Sequence, residues 1–202
     1  YGLTAAALAK LAESQVYLGT SSWKYPGWIG QLYEEQRYLY RGKVAKTRFE
    51  KNCLSEYAEV FKTVCVDAGY YQFPQPKTIE FLAAQVPDDF RFSFKVTEDI
   101  TTKQFTRLPR YGSRAGQLNA NFLNATLFQS AFLGPLRAVR EKVSVLIFEF
   151  SHFYKKDFER GRDFIAALDT FLSQLPSDWQ YGVEIRNESF LHHDYFAVLA
   201  KH

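Results

Sequence analysis

Short apolar runs alternate with longer amphipathic segments along this chain, the pattern that builds a parallel sheet covered by helices. "VYLGT", Val16–Thr20, reads as a first strand, "TVCVD", Thr63–Asp67, as a second, and "FRFSFKV", Phe90–Val96, as a third. "VSVLIFEF", Val143–Phe150, is a fourth, with the nearly continuous apolar character of a strand covered on both faces. Gln180–Arg186 is a fifth. Between them, Leu54, Tyr57, Ala58 and Phe61 share one helical face, Thr78–Gln85 forms a short helix ended before Pro87, and Asp163–Leu175 and Tyr195–Ala200 form two more. Residues after the first strand read as a long aromatic loop, and 106–121, with Pro109, Gly112 and Gly116, as a long irregular one; helical periodicity resumes at Phe122–Phe128 and Leu136–Lys142. Five strand–helix units of this kind fit an open doubly wound sheet or part of an eight-stranded barrel.

Strand alternation then sorts the side chains. In "YGVEIRNESF", Tyr181–Phe190, the residues Tyr181, Val183 and Ile185 share one face while Gly182, Glu184 and Arg186 share the other. The same rule groups Leu18 with Thr20, Cys65 with Asp67, Ser93 with Lys95, and Ile147 with Glu149. In each pair the later residue is polar. If helices cover the apolar face, the opposite face carries Asp67, Lys95, Glu149, Glu184 and Arg186 at the carboxyl ends of the strands, where active sites of (β/α) barrels are built.

Composition limits the alternatives. With 202 residues, 47% hydrophobic and 17% aromatic, the chain is long and apolar enough for a substantial core. A formal charge of +3 gives no global argument for binding nucleic acid or membrane. Charge is nonetheless uneven: 100–140 contains no acidic residue, and Lys103, Arg107, Arg110 and Arg114 fall within it. Cys53 and Cys65 form neither a disulfide framework nor a zinc pattern and are expected as reduced thiols. No membrane-spanning run or signal peptide is visible, so the default expectation is a cytoplasmic protein that does not engage a membrane.

Two readings of the charged residues stand side by side. Carboxylates close to Lys95 and Arg186 can abstract a proton while the cations stabilise a developing oxyanion, which suits an isomerase or lyase acting on a small polar molecule. The same charges can simply be ion pairs closing one end of the sheet. A divalent cation held by Asp67, Glu149 and Glu184 is less favoured, because no histidine falls on the inward strand positions, and the cofactor is otherwise unspecified. Thr20, Ser21, Trp23 and Tyr25 after the first strand, Tyr70 and Tyr71 after the second, and His152 after the fourth are candidate substrate-binding residues. The aromatic ones serve equally well as apolar packing. A different class of function, a non-catalytic module binding phosphorylated ligands or, less favoured, nucleic acid, rests on Arg107, Arg110 and Arg114.

The segments "LGTSSWKYPGW", "YAEVFKTVCVDAGYYQFP", "FRFSFKV", "LIFEF" and "GVEIRNESF", in this order, resemble the YecE-like family, domain of unknown function 72. That resemblance implies a TIM-type (β/α) barrel, with a loose kinship to sugar isomerases and no established activity. It implies further that residues 1–202 are one domain with about five of eight βα units, lacking the C-terminal units. The chain departs from the family's usual residues at Cys65, Asp67, Thr101, Thr102 and Glu149, and lacks its two prolines around Ser151 and His152.

Overall fold

A computed structural model describes residues 2–202. The strands are β1 (Gly19–Thr20), β2 (Leu39–Tyr40), β3 (Lys43–Val44), β4 (Thr63–Val66), β5 (Arg91–Lys95), β6 (Val143–Phe150) and β7 (Gln180–Ile185). Five of them form a mostly parallel sheet in the order β1-β4-β5-β6-β7, and β2 and β3 form a separate antiparallel pair. The fold is therefore α/β with five strands in the main sheet, as the pattern predicts. The expected barrel closure is not seen: the sheet is open, with β1 at one edge and β7 at the other. By their contacts the residues group into two compact units, Tyr1–Asp67 with Gln75–Phe94 and Leu136–Ser144, and Ala68–Pro74 with Lys95–Pro135 and Val145–His202.

In the first unit the expected opening strand, Val16–Thr20, shrinks to Gly19–Thr20, and Val16 and Leu18 are exposed. Gly19 lies so close to β4 that a Cβ at this position would stand 1.9 Å from the Thr63 carbonyl oxygen. The Lys46–Val60 helix buries Phe49, Cys53, Leu54, Tyr57 and Ala58, and Tyr33, Tyr38 and Phe49 pack edge to face around it with centroids 5.1–6.4 Å apart. The stretch read as an aromatic loop also holds the β2–β3 hairpin. Its central residues Arg41 and Gly42 both have positive φ, 52° and 76°, as a type I′ turn requires. A helix at Gly2–Glu13 is an addition to the predicted elements.

The second unit is organised by phenylalanine. Leu146, Phe148 and Phe150 of β6 are buried, whereas Val145, Ile147 and Glu149 on the other face are only half-buried. Phe148 meets Phe128 at 5.1 Å and Phe171 at 5.2 Å; Phe150 meets Phe164 at 5.1 Å. Phe164, Leu168 and Phe171 recur at helical spacing on the Gly161–Leu172 helix, so one apolar face covers β6. Each such burial stabilises the unit by roughly 1.5–3 kcal/mol. Tyr181 of β7 joins this covered face through Phe128 and Phe148. Glu184, two-residue periodicity out of step with it, therefore points away from the helices.

The segment 106–121 departs from expectation. It contains a 3-10 helical stretch, Pro109–Arg114, interrupted at Gly112 with φ 52°, and buries Tyr111. Its order comes from polar contacts distant in sequence: Arg114 with Asp99 at 2.7 Å, and the Asn119 amide donating to the carbonyls of Asp99 and Thr102 at 2.8 and 2.7 Å.

Candidate active site

Lys95, Glu149 and Glu184 stand at the carboxyl ends of β5, β6 and β7, with Arg186 immediately beyond. Parallel pairing sets Glu149 beside Glu184. The Lys95 ammonium lies 2.7 Å from Glu149 Oε2, and Arg186 Nη2 lies 2.8 Å from Glu149 Oε1 and 3.4 Å from Glu184 Oε1. Four of the five charged candidates thus come together in the second unit. Glu149 is the enclosed member, its side chain 12% exposed and its two oxygens each taken by a cation; Glu184 and Arg186 are open, at 46% and 58%. A carboxylate held between two cations fixes where they point, while the open carboxylate beside them is available to a ligand.

Asp67 belongs to the first unit, at the turn after β4, where its Oδ1 accepts from the Cys65 thiol at 3.7 Å. Thr20, Ser21, Trp23 and Tyr25 belong to that unit too. The Thr20 hydroxyl donates to the Ser22 carbonyl at 2.5 Å and its amide donates to the Tyr57 hydroxyl at 2.9 Å, so Thr20 helps tie β1 to the Lys46–Val60 helix. Trp23 is buried, with its carbonyl accepting from the Tyr33 hydroxyl. Ser21 is exposed, and the exposed Tyr25 ring leans on Trp28 at 4.7 Å.

Tyr70, Tyr71 and His152 lie in the second unit. Tyr70 and Tyr71 meet edge to face at 5.2 Å, and the Arg110 guanidinium lies 5.2 Å over the Tyr71 ring. His152 is exposed and leans on Tyr154 at 5.0 Å. Burial pushes the Tyr70 phenol above its ordinary pKa, reinforced by the charges of Glu98 and Glu149 and opposed by the neighbouring Ser151 hydroxyl. Tyr70 and His152 line a cleft of about 420 Å³ that extends past Ser151 to Lys103 and Arg107.

Two supporting residues escape sequence reasoning. Glu98, 4% exposed, accepts from the Tyr111 hydroxyl at 2.7 Å and Arg110 Nη2 at 3.1 Å; its one signal in the sequence is its place directly after the third strand. Asn187, 4% exposed, clamps Phe153 from both sides, accepting from its amide at 2.8 Å and donating to its carbonyl at 2.9 Å. This fixes the chain that follows β6, and nothing in "IRNES" announces it.

Of the basic loop residues, Arg110 is paired with Glu98 and Arg114 with Asp99. Among the described residues no group of three or more His, Cys, Asp or Glu side chains is arranged to hold a metal ion. Nor is any described helix long and apolar enough to cross a membrane.

Comparison with known proteins places these features in context. The family model described as protein of unknown function DUF72 matches residues 17–202. The UPF0759 protein YecE of Escherichia coli strain K12 is 26% identical over 187 residues, covering 87% of this chain and 50% of that protein, and its O157:H7 counterpart matches equally. The chain thus spans about half the length of the curated relatives it matches. Among solved structures, a DUF72 family protein from Thermotoga maritima MSB8 aligns with a TM-score of 0.56 at 19% identity, covering 92% of this chain and 61% of that one. A DUF72 family protein from Enterococcus faecalis V583 aligns at 0.50 and 19%, covering 83% and 52%. These likenesses are of fold.

Proposed function

Because the chain belongs to the DUF72 family, whose description assigns no activity, a reading of its chemistry must start from its own side chains, and we propose that it is an enzyme moving a proton on a small polyhydroxylated substrate in the manner of a sugar isomerase. The observation that carries this reading is the meeting of Lys95, Glu149, Glu184 and Arg186 at the carboxyl ends of neighbouring strands, with Glu184 and Arg186 left open.

The roles follow from exposure and contact. Glu184, whose side chain is open and whose contact with Arg186 is a long 3.4 Å, takes the proton from a carbon beside the substrate carbonyl. The C–H electron pair moves into an enediolate. Arg186 and Lys95 stabilise the oxyanion at the former carbonyl oxygen, the proton of the adjacent hydroxyl passes to that oxygen, and protonated Glu184 returns its proton to the former carbonyl carbon, so that the carbonyl ends on the neighbouring carbon. Glu149 is a positioning residue that aims both cations. Tyr70, Tyr71 and His152 flank the substrate. In this reading the open sheet is part of a (β/α) barrel, which parallel strands, a helix-covered apolar face and charges gathered at the carboxyl ends all favour.

The test is exchange of carbon-bound hydrogen with deuterated solvent, followed by NMR over a panel of aldoses, ketoses and their phosphates. Glu184→Gln should lower exchange by about 10²–10⁴-fold while changing the melting temperature little. Unchanged exchange in that variant would refute the assignment, and a large stability loss would mark the cluster as an ion-pair cap.

A further inference from the structure

The cleft beside this cluster has a charge pattern of its own. Lys103, Arg107 and Lys156 line it, and among the described residues none of the three forms an ion pair with a carboxylate. The Lys103 ammonium donates to the Asp157 carbonyl and lies 3.5 Å over the Phe158 ring. Burial lowers the pKa of that ammonium, and the Asp157 charge acts the other way. Lys156 donates to the neutral amide oxygen of Gln104 at 2.7 Å. Arg107 is exposed, with no hydrogen bond to its guanidinium among the described residues. Asp157 is the carboxylate of the lining, and its Oδ2 accepts from the Tyr154 amide at 2.8 Å.

A second observation is independent of charge. Thr101 also lines the cleft and is 1% exposed, yet its buried hydroxyl has no hydrogen-bond partner among the described residues. Buried hydroxyls are rarely left so, because the lost hydration is not recovered. A ligand oxygen that accepts from it would remove that cost. Cations that form no ion pair among the described residues, together with an orphan donor, describe a receptor for a compact, multiply charged group rich in acceptor oxygens.

We propose that this cleft binds the phosphate of a small phosphorylated polyhydroxy compound, anchoring it so that its unphosphorylated end reaches Glu184. The proposal rests on the proton-transfer reading above for the second half of that statement only. Tyr70 links the two places: it lines the cleft beside Ser151, and its phenol responds to the charge of Glu149. A volume of about 420 Å³ falls within the range of small-molecule sites, roughly 300–1,000 Å³.

Calorimetry on the whole protein separates the alternatives, using inorganic phosphate, glucose 6-phosphate, glucose and a single-stranded oligonucleotide as probes. The proposal expects glucose 6-phosphate to bind at least tenfold more tightly than glucose, and inorganic phosphate to compete with it. Arg107→Ala and Lys103→Met should each weaken glucose 6-phosphate at least tenfold and leave glucose unchanged. Lys156→Ala, at an exposed position, provides the same test should Lys103→Met unfold. Equal binding of glucose and glucose 6-phosphate, or indifference to Arg107→Ala and Lys156→Ala, overturns the proposal. Tighter binding of the oligonucleotide than of the monoester overturns it as well, in favour of a nucleic-acid surface. Glu184→Gln should keep the preference for glucose 6-phosphate over glucose, because the phosphate is held by the cleft and not by Glu184. If that variant also retains solvent exchange, the catalytic reading fails and the phosphate site stands; if wild-type exchange occurs without preference for phosphorylated substrates, the reverse holds.

Discussion

Glu149 and Glu184 are lateral partners in the β6–β7 register, and a single guanidinium, that of Arg186, reaches both carboxylates. Two like charges on adjacent strands repel unless a cation lies between them. Arg186 supplies it for the pair, and Lys95 gives Glu149 a second.

Enclosure separates the two carboxylates energetically. Lys95 and Glu149 are 26% and 12% exposed, so their attraction is only partly screened. A double-mutant cycle of Lys95→Met and Glu149→Leu, followed by urea unfolding, should give a coupling of about 1–2 kcal/mol, between the exposed and buried limits. The Arg186–Glu184 pair, open to solvent and longer, should give less than about 1 kcal/mol. A larger value for the second pair would reverse the assignment of positioning and reacting carboxylates.

Asn187 should be the most costly polar substitution near the site. Asn187→Ala leaves the Phe153 amide and carbonyl buried without their clamp, an expected loss of about 2–3 kcal/mol. Hydrogen exchange should speed up around residues 151–158 before it does elsewhere.

The Glu98 carboxylate depends on Tyr111. Tyr111→Phe removes the 2.7 Å hydrogen bond to a carboxylate that is 4% exposed and should destabilise by about 1–3 kcal/mol. Protease cleavage within residues 105–118 reports it, since that segment is held by this contact and the Arg114–Asp99 pair.

Alkaline pH should weaken the fold partly through Cys53. Burial pushes its thiol from 9.0 to about 12, so the folded state keeps a proton that the unfolded chain gives up. The associated stability is full below pH 9 and falls as pH rises toward 12. Burial likewise raises the phenols of Tyr33, Tyr38 and Tyr57. Urea melts between pH 8 and 10.5 should show a shallower decline for Cys53→Ala than for the wild type; equal slopes would remove Cys53 from the account.

At Gly19 the constraint is space. Gly19→Ala would set its Cβ 1.9 Å from the Thr63 carbonyl oxygen, and separating β1 from β4 to relieve this should cost about 2 kcal/mol or more. Calorimetric melting should fall by roughly 4–8 °C.

Sequence alone reached furthest where a short-range rule governs. Alternation assigned Glu184 and Arg186 to the face opposite Tyr181, and β6 matches its predicted bounds at both ends because an eight-residue apolar run has little freedom to sit elsewhere. The rule fails at β1, where Val16 and Leu18 carry the pattern of a strand yet stay exposed. It is silent at the hairpin, since two-residue strands are too short to show a period. Residues 106–121 looked irregular because their order comes from partners such as Asp99 and Thr102, which no local window contains.

The α/β class, the strand faces and the residue types offered at the strand ends were thus all legible along the chain, as consequences of side-chain period and apolar burial. Folding in three dimensions was needed to enclose Glu149 and not Glu184 between two cations, to set Asn187 against Phe153, and to bring Lys103, Arg107 and Lys156 to one cleft, where they form no ion pair among the described residues. Pairing register and loop path set those distances, and both arise from contacts between residues far apart along the chain.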